Sequence, residues 1–300
     1  MIPPTVLGLS DYLAARQKRI DEALDRWTPP ESASPPTIHR AMRYSLFAGG
    51  KRIRPLLAMA AAEAVAGDCA GVEDLACALE MVHTYSLIHD DLPALDNDDL
   101  RRGRPTCHKV FGEAMAILAG DALLTRAFQV LAQLPGVDGE RKAWLVEELA
   151  AASGTAGGMI AGQVNDLEGE GRPPEAQLLE SIHRAKTGAL LKASVRMGAI
   201  WAGAGGRTLE ALSSYGEHAG LAFQIVDDLL DVEQSSEALG KTAGKDLAQG
   251  KITFPAVYGL ERSREMAELE RRRAHEALFE LGERGARLKQ LADRIVRRSR

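Results

Sequence analysis

Apolar residues along this chain recur at intervals of three and four, and seldom at intervals of two. Over residues 10–27 they fall at Leu13, Ile20, Leu24 and Trp27, one stripe of a helix, with Ser10 placed to cap its N-terminus. A proline-rich stretch, TPPESASPPT, interrupts the pattern, which resumes over 37–48 and stops at Gly49-Gly50. Pro55 suits the first turn of a following helix, and Gly67 suits its end. The stripe Leu75, Leu79, Val82, Ile88 predicts a helix over 73–91 that halts before Pro93. Ala/Leu/Glu-rich segments predict further helices over 112–133, 139–153, 175–202, 208–234 and 253–280, followed by a helical C-terminal tail. Alternating Val/Ile/Thr/Tyr runs between turn pairs are nearly absent, and no fixed-period repeat is visible. The expectation is an all-α bundle of about ten helices, one domain over 1–300 where length alone suggests about two.

Composition narrows the class. The 300 residues are 45% apolar, enough for a large core, and the net charge of −5 argues against a nucleic-acid partner. Cys69, Cys77 and Cys107 have no paired metal or redox spacing and read as reduced thiols of a cytoplasmic protein. The N-terminus lacks the shape of a signal peptide, and no run of 18 apolar residues predicts a membrane span.

Charge is concentrated in short motifs. Residues 88–105, IHDDLPALDNDDLRRGRP, place Asp90 and Asp91 at the C-terminal end of an apolar helix, with Asp96, Asp98 and Asp99 close behind. An anion at that end costs roughly 0.3–1 kcal/mol when exposed, so a compensating cation is expected. A second cluster, FQIVDDLLD at 223–231, sets Asp227 and Asp231 four apart on one face, with Asp228 pointing elsewhere. Two carboxylates about 4 Å apart repel by roughly 4 kcal/mol at an effective dielectric near 20. Either their pKa values rise or divalent cations lie between them. Hard oxygen donors without a Cys/His set point to Mg2+, which takes one or two carboxylates and completes its shell with water and phosphate.

Cations recur beside glycine and proline: Lys51, Arg52 and Arg54 in GGKRIRP; Arg101, Arg102 and Arg104 in DDLRRGRP; Lys186 and Thr187 in RAKTGAL; Lys241, Lys245 and Lys251 in LGKTAGKDLAQGKITFP. Such flanking residues shape anion-binding loops, where guanidinium forks and ammonium groups hold phosphate. The GKT at 240–242 is not a nucleotide-binding loop, because Ser235 stands where that motif needs glycine and no strand precedes it. His39, His108, His183, His218 and His275 read as ordinary structural histidines, whereas His83 lies two helical turns before Asp90, near the same face.

These motifs, in this order, resemble the trans-isoprenyl diphosphate synthases, most nearly the bacterial farnesyl diphosphate synthases, over roughly residues 10–298. The resemblance implies an isoprenoid-synthase bundle around a deep central cavity, a homodimer, and three Mg2+ ions held with an allylic diphosphate. It implies metal ligation by Asp90 and Asp96 with Asp91 in support, and by Asp227 and Asp231 from the facing helix. Arg101, Lys186, Gln224, Lys241 and Lys251 would hold the allylic diphosphate; Lys51, Arg54, His83 and Arg102 would hold isopentenyl diphosphate. Thr187 would sit beside the developing cation, with Lys186 and Arg101 also catalytic. Tyr85 and its neighbour Ser86 would set the cavity floor and with it a fifteen-carbon product. Phe254 departs from the family's usual tyrosine. The implied reaction joins isopentenyl diphosphate to dimethylallyl or geranyl diphosphate.

Three other readings meet these residues less well. A twenty-carbon product is the nearest alternative within the family. A helical metal phosphohydrolase, suggested by His39, His83 and His89-Asp90, leaves the 227–231 cluster and Lys241 unexplained. A terpene cyclase would want an Asn/Ser/Glu metal motif in the second position, and a non-catalytic partner subunit would not need both acidic clusters.

Overall fold

The computed structural model describes residues 8–67, 69–233 and 251–297. Helix α1 spans Leu9–Trp27, α2 Pro36–Leu46, α3 Ile53–Ala66 and α4 Val72–Asp90. A small hairpin, β1 Leu100–Arg101 and β2 Arg104–Pro105, leads into α5 Cys107–Phe111 and α6 Glu113–Ala132. Then come α7 Gly139–Ser153, α8 Met159–Gly169 and α9 Ala176–His183. A π-turn over Arg184–Gly188 joins α9 to α10, Ala189–Trp201. The long α11 is Gly206–Glu233, α12 is Phe254–Tyr258, α13 is Leu260–Ala277, and α14 is Ala286–Arg297 after a 3-10 segment over Phe279–Gly285. Among the described residues the two-residue strands of the hairpin are the only sheet. The all-α expectation holds.

Helices α3 and α4 form the centre. Both are buried around most of their circumference, α3 from Arg54 through Ala64 and α4 from Leu75 through Val82. A helix apolar on all sides belongs in the core of a larger bundle. Around them α1, α6, α10 and α14 contribute fully buried Ile20, Leu24, Leu123, Leu190 and Leu288 to one continuous core. A second, smaller core of Leu179, Ile225, Val226, Leu229, Leu230, Ile252, Phe254 and Ala267 underlies the C-terminal half of α11. The two termini are tied in by polar contacts. Tyr12 donates to Glu63 at 2.8 Å while Arg287 lies over its ring, and Tyr215 donates to the Leu288 carbonyl at 2.7 Å. Cys69, Cys77 and Cys107 are free and buried.

Helix α6 is the one described helix long and apolar enough to cross a membrane, with a mean hydropathy of 1.4. It packs on α4 in the bundle through Ala116, Ala119, Gly120, Leu123 and Ala127.

Several boundaries differ from the expectation. Ser10 does not cap α1; the helix begins one residue earlier, at Leu9, with Gly8 in the capping position and no side-chain cap. The predicted helix 112–133 is α6, and Gly112, whose φ of +84° is left-handed, breaks it from the short α5 that the expectation did not include. Gly259, at φ +79°, breaks 253–280 in the same way. Helix α8 was not expected at all, because three glycines precede it and a fourth, Gly162, lies inside it.

Candidate active site

The C-terminal end of α4 builds half of the site. Pro93 stops the helix, and the following loop folds back on its last carbonyls. Asp96 N donates to Asp90 O at 2.8 Å, Asn97 N to Leu92 O at 3.1 Å, and Asp98 N to Asp91 O at 3.2 Å. These amides satisfy carbonyls that a helix end leaves without partners. The loop returns Asp96 to the side of Asp90, so the sequence spacing becomes a pair of neighbouring carboxylates. Burial is the main influence on Asp90 and pushes its pKa up to about 6; Lys186 opposes the rise, and Asp96 adds to it.

The hairpin sends two adjacent arginines in different directions. Arg102 and Gly103 both have positive φ, +54° and +73°, the geometry of a two-residue type I′ turn. Arg101 turns inward, donating from Nε to Asp91 at 2.9 Å and reaching Asp98 at 3.4 Å. Burial disfavours its charge, but Asp91 and Asp98 more than restore it and raise its pKa. Arg102 turns the other way and donates to the Gly49 carbonyl. There it joins Arg54 and His83. Burial, together with Arg54 and Arg102, holds the His83 pKa well below the usual histidine range, so the imidazole is neutral. Arg54 is itself pulled down to about 10 by burial, and its buried Nε has no hydrogen-bond partner. An anion there would satisfy that donor and strengthen the charge. Arg52, from the same motif, is structural: its guanidinium bonds Glu80 at 2.7 Å, Asp21 at 3.0 Å and the Leu46 carbonyl at 2.9 Å.

The opposite wall comes from α8, the π-turn and α11. Lys186 and Thr187 sit in the π-turn, a helical irregularity that is frequent at functional sites. Lys186 Nζ pairs with Asp166 Oδ2 of α8 at 2.6 Å. The approach depends on Gly162: a Cβ there would fall 2.7 Å from the Lys186 Cβ and closer to its backbone. Asp227 faces the cavity from α11. Asp228 also borders the cavity, but its carboxylate is engaged by the structure around it, accepting from Phe254 N at 2.9 Å and Gln224 Nε2 at 3.0 Å, with His183 Nε2 at 3.3 Å. Lys251, on the far wall, reaches across to Asp96 at 3.1 Å.

These elements enclose a cavity of about 460 Å3. Of the residues singled out in the sequence, Arg54, His83, Tyr85, Ser86, Asp90, Asp96, Arg101, Lys186, Thr187, Gln224, Asp227 and Lys251 all line it. Asp91 and Arg102 lie behind that wall, in a small cleft with Tyr44, Thr84 and Thr106. Asp231 is buried at 4% exposure, and neither it nor Lys51 is among the cavity-lining residues. Lys241 lies outside the described residues. Asp166 and Gln163 line it without having been singled out in the sequence, as does Asp98, noted there only as part of the acidic cluster. The available signal for the first two was an acid and an amide set among Met159, Ile160, Val164 and Leu167 at helical spacing. His183, read as an ordinary structural histidine, also reaches the cavity wall, where it stacks on Phe254 with ring centroids 5.2 Å apart.

Among the described residues no three His, Cys, Asp or Glu side chains converge on one point. The donors are hard carboxylates on two facing walls, with cations between them. That set fits Mg2+, which needs few protein ligands when phosphate supplies the remainder.

A family model described as polyprenyl synthetase matches residues 35–289. The chain is 50% identical over 292 residues to geranylgeranyl pyrophosphate synthase 12, chloroplastic, of Arabidopsis thaliana, an alignment covering 93% of this chain and 80% of that protein. It is 49% identical over 264 residues to farnesyl diphosphate synthase of Geobacillus stearothermophilus, covering 86% of this chain and 87% of that protein. Its fold superposes with a TM-score of 0.81, at 32% identity, on the crystal structure of geranyltransferase from Helicobacter pylori complexed with magnesium and isoprenyl diphosphate. That match covers 95% of this chain and 96% of the other.

Proposed function

The chain belongs to the polyprenyl synthetase family and is a prenyltransferase, and from that premise we propose that it makes farnesyl diphosphate from isopentenyl and dimethylallyl or geranyl diphosphate. One observation carries the reading: Asp90 and Asp96 on one wall and Asp227 on the other line a single cavity with Arg101, Lys186 and Lys251.

Magnesium, three ions by family resemblance, would be held by Asp90, Asp96 and Asp227, and would neutralise charge on the departing diphosphate. The geranyltransferase crystallised with magnesium and isoprenyl diphosphate supports that assignment. Asp91 supports the site by holding Arg101. Asp231 joins Asp227 on the far helix in this proposal. Arg101, Lys186, Lys251 and Lys241 bind the allylic diphosphate and offset the charge that develops on its leaving oxygen. Gln224 adds an amide donor at the same wall. Arg54, His83, Arg102 and Lys51 bind the diphosphate of isopentenyl diphosphate; the unsatisfied Nε of Arg54 supports this. Ionisation leaves an allylic cation that water would destroy, so the apolar lining residues, among them Met159, Ile160, Val164 and Phe223, exclude it. Thr187, in the π-turn, presents its oxygen dipole to that cation. The isopentenyl double bond attacks that cation, and the released diphosphate takes the proton that then leaves the new chain.

Tyr85 supports the fifteen-carbon product. It lines the cavity on the helix that carries Asp90, five residues or about 7.5 Å back along the axis, and is 6% exposed. A twenty-carbon product is the second reading, favoured by the 50% identity to a geranylgeranyl pyrophosphate synthase. Incubation with Mg2+, isopentenyl diphosphate and each allylic diphosphate, followed by chromatography of the products, decides between them. An absence of prenyl products would overturn both. We further propose a homodimer formed through the apolar residues Val110, Ile117 and Leu118, which are 45–53% exposed. A monomeric mass by light scattering would refute it.

A further inference from the structure

His89 immediately precedes the first aspartate of the metal motif and is not explained by metal or diphosphate binding. Its imidazole lies against Gly120 of α6, in a notch that only glycine leaves open. A Cβ at 120 would fall 2.9 Å from His89 Cε1 and closer still to Nε2 and Cδ2. The ring is pinned there. Nε2 is 3.0 Å from the Ile117 carbonyl, and because a carbonyl only accepts, Nε2 carries the proton. Asp121 approaches the same nitrogen at 3.9 Å. On its other side the ring meets Tyr85 edge to face, with centroids 5.7 Å apart. His89 therefore stands in the cavity wall between the carboxylates and Tyr85.

We propose that His89 and Gly120 are a specificity-determining pair that fixes the width of the passage for the allylic chain. The notch withdraws the imidazole from the cavity, the Ile117 carbonyl keeps it withdrawn, and a second isoprene unit then fits past it. A dimethylallyl chain ends before the constriction matters; a geranyl chain does not. The inference rests on the prenyl-chain reading of the cavity and adds a determinant of which allylic substrate that cavity accepts.

The test compares kcat/KM for geranyl and dimethylallyl diphosphate, each with isopentenyl diphosphate, in Gly120→Ala, His89→Ala, the double variant and His89→Phe. Circular dichroism confirms that each variant is folded. Gly120→Ala forces the ring into the passage and lowers the geranyl-to-dimethylallyl ratio by roughly tenfold, the scale of one misfitting methyl group in an apolar pocket. His89→Phe keeps the ring but loses the Nε2 donor, and lowers the ratio in the same direction. His89→Ala does not lower it, and adding His89→Ala to Gly120→Ala restores it. Should Gly120→Ala fail to fold, His89→Phe carries the test by itself. A ratio equal to wild type in the folded ring-bearing variants overturns the proposal, as does a double variant that is not rescued. A wild-type protein that elongates neither allylic diphosphate overturns the functional reading itself, and the pair's role with it.

Discussion

Replacing Asp90 by asparagine should stabilise the protein while destroying its activity. Burial raises the Asp90 pKa from 3.8 to about 6, helped by Asp96 and resisted by Lys186. A folded-state value above the unfolded one means that the protonated form favours folding. That benefit is complete below about pH 3.8 and is lost as pH rises through about 6. At pH 8 the wild type holds a charge that the fold disfavours, by about 3 kcal/mol for a shift of about two units. Asparagine keeps the shape without the charge. The expected gain for Asp90→Asn in EDTA is about 1.5 kcal/mol at pH 5, climbing to about 3 kcal/mol at pH 8. Urea denaturation at the two pH values measures it. Added Mg2+ and a diphosphate should stabilise wild type by mass action and leave the variant almost unmoved. A variant no more stable than wild type at pH 8, or a gain independent of pH, would refute the argument that Asp90 is strained by its own charge.

On the other wall, Asp227→Ala should lower kcat by on the order of 10²–10³-fold or more while thermal unfolding shows a folded protein; near-wild-type turnover would remove Asp227 from the metal site. Tyr85→Ala should shift the products towards longer chains, read by chromatography, and an unchanged spectrum would count against its place at the cavity floor. Asp166→Asn releases Lys186 from its 2.6 Å partner and should lower kcat/KM for the allylic diphosphate roughly 10²-fold, the scale of a misplaced catalytic group. The KM for isopentenyl diphosphate should stay close to wild type in that variant, and a uniform rise in both would argue for a general loss of structure instead.

Much of this architecture is visible in the periodicity of the chain. Leu75, Leu79, Val82 and Ile88 mark α4 because a buried helix repeats apolar residues at its own pitch, and Pro93 marks its end. Asp90, Asp96 and Asp227 stood out because acids among buried apolar residues need a reason to be there. The unexpected parts depend on close approach, which periodicity does not encode. The segment 159–169 was passed over, and Gly162 stands inside its helix because the Lys186 backbone passes too near for a side chain. Missing α8 meant missing Asp166 and Gln163 with it. The divergence of Arg101 and Arg102 was hidden likewise: adjacent cations in RRGRP give no sign that a two-residue turn separates their directions.

That turn has a wider consequence. If Arg101 serves the allylic diphosphate and Arg102 its co-substrate, then one peptide bond yokes the two halves of the reaction. Tilting the hairpin to loosen one grip must twist the other, so neither affinity can drift independently by changes there. Selection acting on this hairpin would see both substrates at once, and variation in chain length has to be found deeper in the bundle, along walls such as that of Tyr85.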